Sequence, residues 1–254
     1  MLIIQLYPFS VAASSNGFSD LLNQVPRLAV RSSVDELSGG LTNRNLKITT
    51  PSGDFVARIS SNKSDLLSID RNAEYENSKI AADIGIGAPV YDFLPQFGLL
   101  VIGYIPGKTF DSQDVANNLG RVAKSVKQLH SAKPFVSDFD MFIIQQNYLK
   151  IVSEHGFKMP ANYLDYIDAL SQMKKALSVL DEGKVACNND LLAANFIDDG
   201  QKIWLIDYEY SGNNDACFEL GNIYSESNLS YDQLVELVDA YYGKHRPEKV
   251  ARAW

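Results

Sequence analysis

The spacing of hydrophobic and polar positions divides the chain into a β-rich first part and a helical second part. In the first part, β-rich runs alternate with strong turn signals such as Pro51-Ser52-Gly53-Asp54. Gly85 is placed to end a helix. The elements predicted there are a hairpin of strands 45–49 and 55–59, a helix over 70–84, and a strand pair, 90–94 and 99–105.

The second part is dominated by helical periodicity. Five apolar residues, spaced so that they share one helix face, predict a long helix: Val115, Leu119, Val122, Val126 and Leu129. A similar face predicts a helix over 163–180, and a β-rich island interrupts the helices at 195–208. Ser230 and Gln233 form a capping-box pair that predicts a helix ended by Gly243.

These patterns predict an α+β fold with two lobes. A β-rich lobe over 1–105 precedes a mainly helical lobe over 106–254, with a hinge near 104–108. The length of 254 residues suits one bilobed unit or two domains.

Composition and charge exclude several classes of function. The net charge of −8 argues against a broad electrostatic contact with nucleic acid. No apolar stretch approaches the length of a membrane span. A signal peptide would require a basic residue near its start, but no Lys or Arg precedes Arg27. Two cysteines and three dispersed histidines fit a reducing, cytoplasmic setting without a structural zinc site. The sequence gives no oligomeric state.

The most informative chemistry lies between residues 187 and 207. Asp190 and Asn195 are five residues apart, and Asp207 follows the apolar run 203–206. Phosphoryl transfer from a nucleotide needs one carboxylate to accept the proton of the attacking hydroxyl. It also needs an amide oxygen and a second carboxylate to hold Mg²⁺. The spacing is that of a kinase catalytic loop, although Asp and Asn are also ordinary turn residues.

The first lobe offers the other half of a kinase site. A Gly-rich segment precedes a strand and could bring backbone N–H groups to a phosphate, although a plain turn would look the same. Arg58 on the next strand and Glu74 on the next helix could form a phosphate-binding pair, or a solvated surface pair. The candidate phosphate-loop residues are Gly39, Gly40, Thr42 and Asn43. The order of these features along the chain is the order found in kinases.

At this point the chain resembles the choline/ethanolamine kinase family, within the aminoglycoside-phosphotransferase-like kinases. Three segments carry the resemblance: Ser38-Gly39-Gly40-Leu41-Thr42-Asn43, Ile69-Asp70-Arg71-Asn72-Ala73-Glu74, and Asp207-Tyr208-Glu209-Tyr210-Ser211 with the Asn214, Phe218, Gly221-Asn222 and Glu226 that follow. The resemblance covers about Leu37 to Tyr242. It implies a protein-kinase-like fold.

The resemblance also implies an activity and its residues. The expected enzyme uses ATP and Mg²⁺ to phosphorylate the hydroxyl of a small cationic substrate, choline or ethanolamine first. Asp190 is the expected base, and Asn195 and Asp207 are the expected metal ligands. The hinge residues expected near adenine are Gly103, Tyr104 and Ile105, and the residues expected near the substrate are Glu226, Tyr208 and Tyr224. The rivals are a kinase for thiamine or an aminoglycoside, and a non-catalytic nucleotide-binding protein.

Two departures from the family are visible. Asn188 stands where the family usually has His, two residues before the expected base. Asn can still donate and accept hydrogen bonds, so we expect activity to survive. In addition, only 28 residues follow Glu226, whereas the family usually continues through further helices that help enclose the substrate cation. We interpret the chain as a fragment or a short form.

Overall fold

The first part of the chain is built on an antiparallel five-stranded sheet in the order β1-β2-β3-β5-β4. The structure, a computed structural model, describes residues 15–38, 43–60, 69–179 and 182–254. Gly39, Gly40 and Thr42 lie outside the described residues. The strands are β1 (Ser33–Leu37), β2 (Asn43–Thr50), β3 (Gly53–Ser60), β4 (Val90–Leu94) and β5 (Leu99–Gly103).

Both predicted strand pairs are confirmed. β2 and β3 form the hairpin, with Thr50 opposite Gly53 at its turn. Gly53 has φ 127°, a conformation that L side chains rarely adopt, so this turn favours glycine. β4 pairs with β5, which ends at Gly103, two residues earlier than predicted.

Two short helices, α1 (Ser15–Asn23) and α2 (Pro26–Ala29), cover one face of this sheet. Leu22, Val25 and Leu28 are buried there against the sheet's own apolar residues. The sequence interpretation of the first hundred residues as mostly strands and turns missed these helices. They are nine and four residues long, too short for a clear helical period.

The helix predicted over 70–84 is α3 (Arg71–Asp83). The Asp70 side chain accepts hydrogen bonds from the backbone N–H groups of Asn72 and Ala73, which satisfies two of the helix's first donors. Gly85, with φ 72°, follows the last turn. The buried face of α3 carries Glu74, which is 4% exposed, toward the second part of the chain.

The second part holds the remaining helices and two small sheets. The helices are α4 (Ser112–Asn117), α5 (Leu119–His130), α6 (Met141–His155), α7 (Ile167–Leu177), α8 (Ala216–Glu226), α9 (Tyr231–Tyr242) and α10 (Pro247–Ala253). The strands are β6 (Lys108–Thr109), β7 (Val185–Cys187), β8 (Phe196–Asp198), β9 (Ile203–Leu205) and β10 (Gly212–Asn214). β6-β8-β9 form one sheet and β10-β7 the other.

The predicted helices of this part are present, with two differences. The apolar face from Val115 to Leu129 is buried as expected, but Asn118 breaks the helix into α4 and α5. The face predicted over 163–180 is not buried: α7 has no buried residue, and Ile167 is 37% exposed. The capping box of Ser230 and Gln233 is confirmed, and Gly243 ends α9 with φ 72°.

Two hydrophobic cores match the two parts of the chain. One lies between α1, α2 and the five-stranded sheet, and the other joins α5, α8 and α9. Ile80 and Ala81 of α3 belong to the second core, so α3 packs toward both parts. The division at residue 105 stays a prediction. Among the described residues, we find no helix with both the length and the apolar character that crossing a membrane requires.

Candidate active site

The candidate base, Asp190, lies on a tight loop that follows β7. The preceding residue, Asn189, has φ 67°, a left-handed conformation that few residues other than glycine tolerate and Asn tolerates best. Its backbone N–H donates to Glu219 at 2.8 Å, and its side-chain amide donates to the carbonyl of Tyr210 at 3.0 Å. Leu191 N–H donates to Asn222 at 2.6 Å. The backbone on both sides of Asp190 is therefore held by one face of α8.

Asn188 ties this loop to the segment that carries Asp207. Its amide nitrogen donates to the carbonyls of Ile206 at 3.1 Å and Asp207 at 2.8 Å. Its amide oxygen accepts from the Asp190 N–H at 3.1 Å. Asn188 is fully buried, so these bonds are shielded from water. An Asn here can therefore join the two loops.

The candidate metal ligands lie on either side of the β8–β9 hairpin. Asn195 ends a short 3₁₀ turn, and its Nδ2 donates to the Asp190 carbonyl at 2.7 Å. The backbone N–H of Ile206 donates to the Asn195 carbonyl at 3.0 Å. Asp207 comes next, with φ 65°. These hydrogen bonds place Asn195 and Asp207 on neighbouring backbone segments, which are joined through Asn195.

Arg58 and Glu74 face each other, as predicted. Arg58 NH1 lies 3.4 Å from Glu74 Oε1, and both side chains are buried. The structure adds two partners that the sequence did not suggest, since Arg58 NH2 lies 2.6 Å from both Asp207 Oδ1 and Glu209 Oε1. These carboxylates raise the pKa of Arg58, although burial opposes them.

Arg71 and Glu209 complete this charged cluster. Arg71 NH1 lies 2.7 Å from a carboxylate oxygen of Glu74 and 2.7 Å from one of Glu209. Asn43, the one predicted phosphate-loop residue within the described part, donates from its side chain to Glu209. The nearby arginines bring the pKa of Glu209 down to about 2, against the effect of burial. Sequence analysis missed Glu209 as a site residue, although it lies two residues after Asp207.

The electrostatics around Asp190 favour proton acceptance near neutral pH. Burial and, to a smaller extent, the negative charges of Asp207, Glu226 and Glu209 together raise the pKa of Asp190 to about 7. A carboxylate with such a pKa is a stronger base than an ordinary Asp and is still ionised for much of the time at neutral pH.

The predicted substrate residues have different surroundings. Glu226, at the end of α8, is half-buried, and its charge acts on Asp190. Tyr224 is half-buried and packs against the second core. Tyr208 is 4% exposed, with its hydroxyl toward the Leu205 carbonyl. Its position in the core does not support the expected contact with a substrate.

Two other aromatic residues, Tyr148 and Tyr210, lie near enough to Asp190 for its charge to act on them. The hydroxyls of Tyr148 on α6 and Tyr210 are 3.5 Å apart. Burial raises the pKa of both, and the charge of Asp190 adds to the effect. Tyr210 and Glu209 also line a cavity of about 330 Å³ whose wall includes Asp138 and Asp140. Tyr148 carried no sequence signal, because it lies far from every motif.

The predicted adenine-binding residues lie where β5 leaves the sheet. The backbone N–H of Gly103 donates to Pro89 at 2.8 Å, and that of Tyr104 donates to Asp54 at 3.1 Å. Lys47 lies 4.1 Å from the centre of the Tyr104 ring. Ile105 is buried. This segment leads from β5 to β6, and both its role as a hinge and its contact with adenine stay predictions.

The donor set fits a hard divalent cation. Asp207 offers a carboxylate, Asn195 offers an amide oxygen, and oxygen ligands of these two kinds are those that Mg²⁺ accepts. The Arg58 guanidinium already contacts the Asp207 carboxylate, so this position accommodates positive charge. These residues would hold Mg²⁺.

A second buried cluster lies behind the catalytic loop. His130, at the end of α5, lies 2.5 Å from Glu219 and 2.8 Å from the Tyr241 hydroxyl. Cys187 joins them at 3.5 Å from His130. His130, Cys187 and Glu219 offer ligand atoms within 4.8 Å of one another. Hydrogen bonding accounts for this arrangement and indicates a structural role for His130.

Comparison with known proteins places the chain in a family. A model of the choline/ethanolamine kinase family matches residues 34–243. Protein LicA of Haemophilus influenzae is 27% identical over 210 residues, which are 80% of this chain and 61% of that protein. The chain thus spans less than two thirds of this relative.

Two solved structures extend the likeness to three dimensions. Choline kinase LicA from Streptococcus pneumoniae superposes with a TM-score of 0.82 at 26% identity, covering 94% of this chain and 86% of that one. A LicA structure in complex with AMP gives a TM-score of 0.74 at 27% identity, covering 88% and 78%. The predicted α+β, bilobed, protein-kinase-like fold is confirmed. The chain belongs to the choline/ethanolamine kinase family.

Proposed function

We propose that the protein transfers the γ-phosphoryl group of ATP to the hydroxyl of a small amino alcohol, choline or ethanolamine first. The observation that carries the proposal is the convergence of Asp190, Asn195 and Asp207 through the hydrogen bonds of Asn188 and Asn195. This arrangement supplies the proton acceptor and the two metal ligands that phosphoryl transfer needs. The family and the AMP-bound LicA structure support the use of a nucleotide.

Each residue has a defined task in this mechanism. Asp190 accepts the hydroxyl proton of the acceptor as its oxygen bonds to the γ-phosphorus and the bond to ADP breaks. The Asp190 pKa of about 7 suits this transfer. Arg58, held by Glu74, binds phosphate oxygens. Asn195 and Asp207 would hold Mg²⁺, and the bound ion would supply positive charge to the phosphates.

The charges around the base favour a cationic acceptor. Asp207, Glu226 and Glu209 all act on Asp190, so an ammonium group beside the base lies in a negative potential. Tyr148 and Tyr210, on whose hydroxyls the charge of Asp190 acts, are our candidates for the aromatic faces that would contact this ammonium group. Asp140 adds negative charge to the wall of the neighbouring cavity, whereas Asp138 is paired with Lys184 at 2.7 Å. The names of the LicA choline kinase and of the relatives called ethanolamine kinases support the same substrate class.

A substrate panel tests the proposal. ATP consumption is measured with choline, ethanolamine, thiamine, an aminoglycoside and a neutral alcohol of choline's size. We expect turnover with choline or ethanolamine and none with the neutral alcohol. Turnover with thiamine or the aminoglycoside alone would assign another substrate. Binding of Mg²⁺–ATP without turnover on any hydroxyl would instead assign a non-catalytic nucleotide-binding role.

A further inference from the structure

Glu209 joins the two lobes at the active site through more than one element of the first lobe. Its side chain is 5% exposed and lies two residues after Asp207. It contacts the first residue of β2 (Asn43), the phosphate-binding arginine on β3 (Arg58), and the first residue of α3 (Arg71). One carboxylate of the metal-binding segment therefore contacts three separate elements of the first lobe.

These contacts close a ring of alternating charges. Arg58 lies between Glu74 and Glu209, at 3.4 Å and 2.6 Å. Arg71 also lies between Glu74 and Glu209, at 2.7 Å from each. The ring contains two positive and two negative groups, so it is neutral. Asp207 lies outside the ring and contacts Arg58 alone among the ring's members.

The ring solves a problem that nucleotide binding creates. If Mg²⁺ bound Asp207, Arg58, whose side chain is 8% exposed, would lose that partner. A buried charge without a compensating partner is strongly unfavourable. Because Glu74 and Glu209 stay with Arg58, its charge remains compensated while it turns to the phosphates. A pair of Arg58 and Glu74 alone would leave the guanidinium with one partner at 3.4 Å.

We propose that Glu209 and Arg71 are positioning residues that hold Arg58 and the start of β2 in the place where phosphate binds. This inference rests on the proposed function and goes beyond it, because neither residue need touch the nucleotide. Asn43 is the first residue of β2, so its bond to Glu209 ties the start of that strand to the metal-binding segment. Glu209 thus couples metal binding to phosphate binding.

A double-mutant cycle tests the coupling. Glu209→Gln, Arg71→Gln and the double variant are compared for the Kd of ADP with and without Mg²⁺, by calorimetry, and for the KM of the acceptor. Removing one partner from a buried charge network weakens binding about tenfold or more, so we expect that loss of Mg²⁺–ADP affinity in each single variant. We expect the double variant to bind about as weakly as the weaker single variant, and the acceptor KM to change less than about twofold.

The alternative is that the ring only stabilises the fold. Arg121→Gln is the control for loss of an ion pair outside the site, because Arg121, 42% exposed, binds Asp198 through two bonds of 2.5 and 2.7 Å. It should change the free energy of unfolding only slightly and leave Mg²⁺–ADP affinity unchanged. If Glu209→Gln behaves like this control, or if the two single losses add, the proposal is overturned.

Further measurements keep the test decisive. If Glu209→Gln does not fold, Glu209→Asp keeps the charge but is one methylene too short to reach both arginines, and the same loss of affinity is expected. Because ADP binding needs no acceptor, the double-mutant cycle tests the positioning role of Glu209 and Arg71 even if no amino alcohol is phosphorylated. If the wild-type protein binds no Mg²⁺–ADP, both the ring proposal and the proposed function fail.

Discussion

Replacing Asp190 by Asn should make the protein more stable and nearly inactive. Asn has the same shape as Asp but cannot ionise or accept the hydroxyl proton. Burial and three neighbouring carboxylates raise the pKa of Asp190 from its usual 3.8 to about 7. The ionised form is therefore disfavoured in the folded protein relative to the unfolded chain. The site retains this cost because catalysis needs the base.

The sign and size of the stability change follow from the shift in the Asp190 pKa. The folded protein binds the Asp190 proton more tightly than the unfolded chain, so stability falls as pH rises from about 4 to 7, and the cost is complete above that range. The full shift corresponds to about 4 kcal/mol at 1.36 kcal/mol per pKa unit, and solvent access to a half-buried group lowers our expectation to about 1–2 kcal/mol. For a chain of this size, each kcal/mol raises the Tm by about 2–4 °C.

Thermal unfolding at two pH values checks the reasoning. Wild type and Asp190→Asn are melted at pH 5.5 and pH 8 in EDTA without nucleotide, and turnover is measured with Mg²⁺–ATP. We expect a higher Tm for the variant, with the larger gap at pH 8, and a rate loss of about 10²–10⁴-fold. Glu236→Gln, at an exposed position on α9, is the control and should give a small gap at both values. An equal gap at both pH values would refute the electrostatic account, and an unchanged rate would remove Asp190 as the base.

Three further variants address the rest of the site. Asp207→Ala should abolish turnover and remove the Mg²⁺-dependent part of nucleotide stabilisation in a thermal-shift assay, because its carboxylate is the proposed metal ligand; full activity in a folded variant would exclude that role. Glu226→Gln should raise the KM for choline or ethanolamine and leave the KM for ATP nearly unchanged. It should also move the pH midpoint of kcat downward, because one charge that raises the Asp190 pKa is lost. An unchanged acceptor KM and midpoint would show that the cation binds elsewhere. Asn188→Ala should lower kcat and cost about 1–3 kcal/mol of stability, since buried partners lose their hydrogen bonds. Asn188→His, which has the residue usual in the family, is the comparison. An alanine variant with normal kcat would show that the two loops keep their positions without the hydrogen bonds of Asn188.

The site residues that the sequence predicted are those that lie close together along the chain or follow a common order of elements. Asp190, Asn195 and Asp207 lie within eighteen residues, and local hydrogen bonds bring their segments together. The pairing of Arg58 with Glu74 followed from a strand–helix order that many kinases share. These features depend on local chain geometry, which a sequence pattern records.

Contacts between distant segments could not be predicted in this way. Glu209 reaches Asn43 across 166 positions and Arg71 across 138. Tyr208 illustrates the same limit, because it is buried in the core while its neighbours Asp207 and Glu209 contact Arg58. Neither α1 nor α2 was predicted, because their burial depends on the sheet that they cover.

The exchange of His for Asn at position 188 has a consequence for the chemistry. Asn188 donates to the Asp207 carbonyl and accepts from the Asp190 N–H, so it joins the base to the metal-binding segment. A histidine in this position, among several carboxylates, would carry a proton that comes and goes within the working pH range. Asn has no such proton, and its hydrogen bonds keep the same donors and acceptors at every pH. The rate of the proposed reaction should therefore follow the ionisation of Asp190 itself, with the geometry that joins the two loops held constant.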